Sequence, residues 1–136
     1  MSGVFAGEMT TVERKKIVLV VDDDPAILRF IRLGLMAHGY EAVTAVDGQE
    51  ALEVIRTRNP DIVILDILLP KKDGLSVLGE LRGFSDVPVV AMSAHTSLRE
   101  KALSLGASDF LDKPFSPDEL LRRIGIALSH GPPGTS

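Results

Sequence analysis

Short apolar runs rich in β-branched residues alternate along this chain with segments of helical spacing, and that alternation leaves few folds open. Ile17 to Val21, Ile62 to Leu65 and Val87 to Met92 read as near-continuous apolar stretches, as expected of strands covered on both faces. Glu41 to Val46 is weaker and alternating, which suits an outer strand, and Asp109 to Leu111 is a short fifth. Between them lie helical stripes. Ile27, Phe30, Ile31, Gly34 and Leu35 share one face, with Pro25 in the tolerant first turn and His38-Gly39 as the stop. Ala51, Leu52 and Ile55 form the second stripe after Asp47-Gly48, and Leu75, Leu78 and Leu81 the third. Leu98, Ala102 and Leu105 form the fourth, and Leu120, Leu121, Ile124 and Leu128 the fifth. Ser116 before Pro117-Asp118-Glu119 reads as an N-cap with Glu119 three residues on.

Five βα units with short loops predict an α/β fold, a doubly wound parallel sheet with helices on both faces. Five strands favour the flavodoxin-like order 2-1-3-4-5 over the Rossmann-like order, which needs a sixth. A chain of 136 residues is one domain's worth. Residues 1 to about 14 lack a sustained apolar period and read as a mobile leader. Residues 15–130 form the domain, and Gly131-Pro132-Pro133-Gly134-Thr135-Ser136 reads as a flexible tail or the start of a linker.

Composition removes several classes of function. Cysteine is absent, which excludes disulfides, thiolate zinc sites and thiol catalysis. A net charge of −4, no Trp and a single Tyr argue against direct nucleic-acid binding by this domain. No run approaches the ~20 apolar residues that cross a bilayer. The N-terminus has neither a basic start nor a signal-like apolar run. No membrane partner and a cytoplasmic address are the expectation.

In sheets of this kind the site lies beyond the carboxyl ends of the strands, at the switch between the first and third. Those ends carry an unusual set: Asp22, Asp23 and Asp24 after the first strand, Asp66 on the third, Ser93 on the fourth, and Lys113-Pro114-Phe115 after the fifth. Converging carboxylates repel one another unless a cation joins them, and oxygen ligands with one or two carboxylates suit Mg2+. A lysine and a hydroxyl alongside make the crevice a site for a phosphoryl group. Taken singly, Asp24 reads as a helix cap.

These residues carry a resemblance. Val20-Val21-Asp22-Asp23-Asp24-Pro25 resembles the acidic motif of response-regulator receiver domains. Asp66-Ile67-Leu68-Leu69-Pro70-Lys71-Lys72-Asp73-Gly74 resembles their phosphorylation motif, Ser93-Ala94 their hydroxyl position, and Phe110-Leu111-Asp112-Lys113-Pro114-Phe115 their lysine motif. The likeness runs from about Lys15 to His130. It implies the receiver of a two-component phosphorelay: a phosphoacceptor signalling domain that is not itself an enzyme, beyond self-phosphorylation from small donors and slow autodephosphorylation. Asp66 would accept a phosphoryl group from a histidine kinase or phosphotransfer protein, and a carboxylate is a legitimate nucleophile for that step. Mg2+, or Mn2+, would be held by Asp23, Asp66 and the backbone carbonyl of Leu68, with Asp22 acting through water. Lys113 and Ser93 would bind the phosphoryl oxygens, and Phe110 would be the packing switch that answers Ser93. The resemblance also implies a cis bond before Pro114.

The same resemblance implies that Leu68 and His95 would flank the path of a hydrolytic water; neither is an acid or amide suited to hold it, so slow loss of the phosphoryl group is expected. Leu68 also disfavours a haloacid-dehalogenase-type phosphatase, which needs an Asp there as proton shuttle. A flavin or nucleotide module would want a Gly-, Ser- or Thr-rich phosphate loop where the three aspartates stand. A non-phosphorylated interaction module usually lacks one of the acidic residues or the lysine. The run from Arg99 to Ile124 further resembles receivers that precede winged-helix DNA-binding domains. That branch implies a homodimer through the surface of helix 4, strand 5 and helix 5, pairing Arg99 with Glu119 and Asp109 with Arg123 across a two-fold axis.

Overall fold

The computed structural model describes residues 14–130. The expected leader and tail therefore fall, for residues 1–13 and 131–136, outside the described residues. Strands β1 (Ile17–Val21), β2 (Glu41–Ala45), β3 (Ile62–Asp66), β4 (Val89–Ser93) and β5 (Asp109–Asp112) alternate with helices α1 (Pro25–Ala37), α2 (Gly48–Arg58), α3 (Gly74–Arg82), α4 (Arg99–Ser104) and α5 (Pro117–His130). All strand pairings are parallel, and the sheet order is β2-β1-β3-β4-β5. The order 2-1-3-4-5 is the one expected, and β2, half-buried along most of its length, lies at an edge.

Strand alternation divides the core into two layers. Leu19, Val21, Val63 and Leu65 point to the face covered by α2, α3 and α4, where they meet Leu52, Ile55, Leu78, Leu81 and Ala102. Val18, Val20, Ile62 and Ile64 point to the other face, against Leu28, Ile31 and Leu35 of α1 and Leu120 and Ile124 of α5. Each such side chain, fully buried, contributes about 1.5–3 kcal/mol against the entropy of ordering it. This burial from both sides is what lets three strands be almost wholly apolar.

Some elements depart from the sequence expectation. Phe30 is 61% exposed, and Leu28 takes its place in the α1 stripe. Leu28, Ile31 and Leu35 follow the helical period about one line, and Phe30 sits 100° away from Ile31 on the flank. β4 starts at Val89 and not Val87, because Pro88 has no N–H to give the ladder. The fourth helix opens with a 3-10 turn, Thr96–Leu98, and its α-helical part is only six residues. Ser116 caps α5 by accepting from the Glu119 N–H at 3.1 Å, but the Glu119 carboxylate turns to Arg122 and Arg123 rather than back to the cap. Among the described residues, no helix is long and apolar enough to cross a membrane.

Candidate functional site

Register assembles the site. Val21 pairs with Leu65, so Asp22 and Asp66 follow side by side at the end of the central strands. Asp66 in turn pairs with Met92, and Ser93 with Asp112, which brings Ser93 and Lys113 into the same row. A one-residue slip would turn each of these side chains to the opposite face of the sheet. The backbone N–H of Lys113 donates to the Ser93 carbonyl at 2.9 Å, and the Lys113–Pro114 bond is cis, as the resemblance implies.

At the centre stands an ammonium shared by two buried carboxylates. Lys113 Nζ lies 2.9 Å from Asp22 Oδ2 and 3.2 Å from Asp66 Oδ2. The remaining oxygens are also engaged: Asp22 Oδ1 accepts the Asp24 N–H at 2.9 Å, and Asp66 Oδ1 accepts the Leu68 N–H at 3.0 Å. Burial pushes the Asp66 carboxyl above its ordinary range and the charge of Asp22 adds to this, against the Leu68 N–H and Lys113. For Lys113 burial acts downward, but the hydrogen bond to Asp22 and the charges of both aspartates outweigh it, and its pKa rises. The lysine is a fixed positive charge beside the Asp66 carboxylate.

Asp23 is exposed at the rim, and one oxygen each from Asp22, Asp23 and Asp66 can lie within 4.8 Å of one another. Three carboxylates with one ammonium leave an excess of negative charge and an all-oxygen donor set. That set fits a hard divalent cation such as Mg2+ or Mn2+, not a soft metal. Asp24, read as a cap from the sequence, accepts the Ala26 N–H at 2.9 Å and opens α1.

The flanking residues take distinct positions. Ser93, 1% exposed, accepts the His95 N–H on its Oγ at 3.0 Å, which leaves its O–H free to donate. His95 and Leu68 are exposed at the mouth. Phe110 is fully buried, and the Arg99 guanidinium lies 5.0 Å from its ring centroid, within cation–π range. Arg99 also reaches Asp112 at 3.3 Å, while Arg123 holds Asp109 and Glu119 at 2.8 Å each within the same chain. The sequence pairing of Arg99 with Glu119 is thus not made within the chain, and the pair Asp109–Arg123 is. The stacking of Arg99 on Phe110 was missed from sequence; no spacing rule signals it, because eleven positions and a turn separate the two.

The loop that carries Asp66 into α3 is pinned at its root. The Gly74 N–H donates to the Ile67 carbonyl at 2.8 Å. A Cβ on Gly74 would lie 2.4 Å from the Asp66 carbonyl oxygen. Only glycine allows that approach.

Comparison with known proteins points one way. The model of the response regulator receiver domain matches residues 18–125. The transcriptional regulatory protein KdpE of Mycobacterium tuberculosis is 46% identical over 114 residues, covering 82% of this chain and 50% of that protein. The probable transcriptional regulator ycf27 of Cyanophora paradoxa is 46% identical over 116 residues, covering 84% of this chain and 48% of that one. The chain thus spans about half the length of the curated relatives it matches. Among solved structures, the receiver domain of the Francisella response regulator 1452 superposes with a TM-score of 0.80 at 39% identity, covering 85% of this chain and 98% of that one. The BeF3-activated receiver domain of Klebsiella pneumoniae RstA gives 0.79 at 35% identity, with coverage of 83% and 98%.

Proposed function

The chain belongs to the response-regulator receiver family of two-component signal transduction, and from that premise we propose that Asp66 is the acceptor of a phosphoryl group from the phosphohistidine of a kinase or phosphotransfer protein. An Asp66 oxygen attacks phosphorus as the histidine N–P bond breaks, and the imidazole leaves. The observation that carries this reading is the Lys113 ammonium, 3.2 Å from Asp66 and 2.9 Å from Asp22, in a crevice where three carboxylates converge. Asp23, Asp66 and the Leu68 carbonyl would hold Mg2+, with Asp22 engaged through water. Held by these residues, such an ion would supply charge neutralisation for the transferred oxygens. Lys113 keeps its charge and follows the phosphoryl oxygens, while Ser93 donates its free O–H to one of them.

Beside the site, Ile27, Phe30, Ala94, Pro114 and Phe115 line an apolar recess that includes Lys113. That recess suits a protein donor. Movement of Ser93 toward the phosphoryl group frees space beside Phe110, and repacking of that ring alters the α4–β5–α5 surface. We read the output as control of a partner or of dimerisation there, in a cytoplasmic pathway, consistent with relatives described as transcriptional regulators. In a two-fold dimer Arg99 would leave Asp112 for Glu119 of the second copy, and Arg123 would exchange its own Asp109 for the second copy's. Leu68 and His95 offer no acid or amide to align water, so the aspartyl phosphate is long-lived. The domain proper, residues 15–130, acts as a phosphoacceptor and not as a catalyst of a separate reaction.

Incubation with acetyl phosphate and Mg2+, followed by intact mass, tests the site. One phosphoryl group is expected on the native chain and none after Asp66→Asn or with EDTA. Unchanged labelling of Asp66→Asn refutes the assignment.

A further inference from the structure

The acceptor loop, residues 67–73, is held at Lys72 as well as at its root. α2 begins at Gly48, which is buried, and a Cβ there would lie 2.5 Å from the Lys72 carbonyl oxygen and 2.6 Å from Val77 Cγ2. Ordinary contact begins at 3.4 Å, so any side chain at this position must drive the loop and helix apart by nearly an ångström. The preceding residue, Asp47, caps α2 by accepting the Glu50 N–H at 2.9 Å, and its other oxygen lies 3.4 Å from Lys71 Nζ. Lys71 itself sits at φ 65°, a left-handed conformation that non-glycine residues rarely adopt. Such a conformation persists where the surroundings over-determine it. Lys72 is tied to Glu80 of α3 at 2.8 Å. Both ion pairs are partly exposed, so they steer the loop more than they hold it. The close backbone approach at Gly48 is the rigid part of the clamp.

We propose that Gly48 is a positioning residue for the phosphoacceptor site: by letting the first turn of α2 abut Lys72, it sets the path of the loop and so the place of the Leu68 carbonyl beside Asp66. This rests on the reading of Leu68 as a carbonyl ligand for Mg2+. The loop has two glycine contacts, Gly74 against Asp66 and Gly48 against Lys72, with the ligand carbonyl between them. A shift at Lys72 is therefore taken up by residues 68–71, which include the Leu68 carbonyl that would ligate the ion. Outer supports of this kind affect metal affinity without touching the metal.

The test is Mg2+ titration of the unphosphorylated full chain, followed by amide NMR shifts of Asp23, Asp66 and Leu68. Gly48→Ala is expected to weaken Mg2+ binding at least about tenfold and to move the Leu68 and Lys72 amides in the metal-free protein. Gly79→Ala, on α3 where an added Cβ meets nothing within 4 Å, is the control and should bind as the native chain does. Should Gly48→Ala fold poorly, the double variant Gly48→Ala with Val77→Ala removes the clash with α3 and leaves only the loop's Lys72, its carbonyl oxygen and Cβ, in the way. Its fold should recover while Mg2+ binding stays weak. Native affinity in Gly48→Ala, or its full return in the double variant, overturns the positioning role while leaving the phosphoacceptor reading intact. A native chain that binds no Mg2+ overturns both.

Discussion

Replacing Lys113 with Met keeps most of the stem and removes the ammonium that bridges Asp22 and Asp66. The two aspartate side chains are 1% and 7% exposed and the lysine 21%. Removing one partner of a buried ion pair costs about 3–5 kcal/mol. The lysine's partial exposure lets water reach the crevice, which places the expected loss near the lower end, ~3 kcal/mol. For a domain of this size that is roughly 12 °C in Tm. The loss should depend on pH with a definite sign. Asp66 is already raised by burial, with Asp22's charge adding, and Lys113 opposes both. Without the lysine, the Asp66 carboxyl titrates higher still in the folded chain. A folded pKa above the unfolded value, about 3.9, gives stability that is full below that value and is lost as pH rises through the folded pKa. The deficit of Lys113→Met should therefore be full at pH 7.5 and shrink toward pH 4. Mg2+ should replace the missing cation, since a ligand at 100 times its Kd stabilises by about 2.7 kcal/mol. It should stabilise the variant more than the native chain, where the ammonium competes for the same oxygens. Urea unfolding at pH 7.5 and pH 4.5, with EDTA and with Mg2+, measures all of this. A variant as stable as the native chain in EDTA at pH 7.5, or a deficit indifferent to pH, would falsify the reasoning.

Gly74→Ala places a methyl against the Asp66 carbonyl and the Ile67 Cα at 2.4 and 2.5 Å. Thermal unfolding should show a loss of about 1–3 kcal/mol, with the Leu68 amide displaced in NMR spectra. Ser93→Ala leaves the His95 N–H without its 3.0 Å acceptor, at a cost of ~1 kcal/mol because that edge is wet. Its beryllofluoride-bound and free spectra should converge at Phe110, and equal separation in variant and native chain argues against the coupling. Leu68→Asn supplies an amide beside the water path and should speed loss of the phosphoryl group in a radiolabel chase. Arg123→Glu breaks the contacts with Asp109 and Glu119 and should leave the beryllofluoride-treated protein monomeric in sedimentation, whereas an unaltered dimer rules out the α4–β5–α5 surface.

Much of the fold can be read along the chain because its signals are local. Apolar runs of a few residues mark strands, the helical period marks the segments between, and Asp24, Asp47, Asp73 and Ser116 each cap a helix from its own N-terminus. The acidic ends of β1 and β3 are legible for the same reason, since residues after a parallel strand must emerge on the ligand-binding edge. Where the sequence misled, the cause was geometric: Phe30 fits the helical period loosely, and only the packing of α1 on the sheet chose Leu28 over it.

Contacts distant in sequence were decided by tertiary structure. Lys113 stands 91 positions from Asp22 and 47 from Asp66, and only the registers of β1 with β3, β3 with β4 and β4 with β5 bring its ammonium between them. Arg123 could pair within the chain or across a dimer; in the folded monomer Asp109 and Glu119 take it. Gly48 and Gly74 look like ordinary turn residues until the neighbouring backbones are placed beside them. A strand's ending in aspartate is a property of the local chain, whereas the distance from that aspartate to a cation, a hydroxyl or a glycine on another element is set by how the sheet pairs and the helices pack.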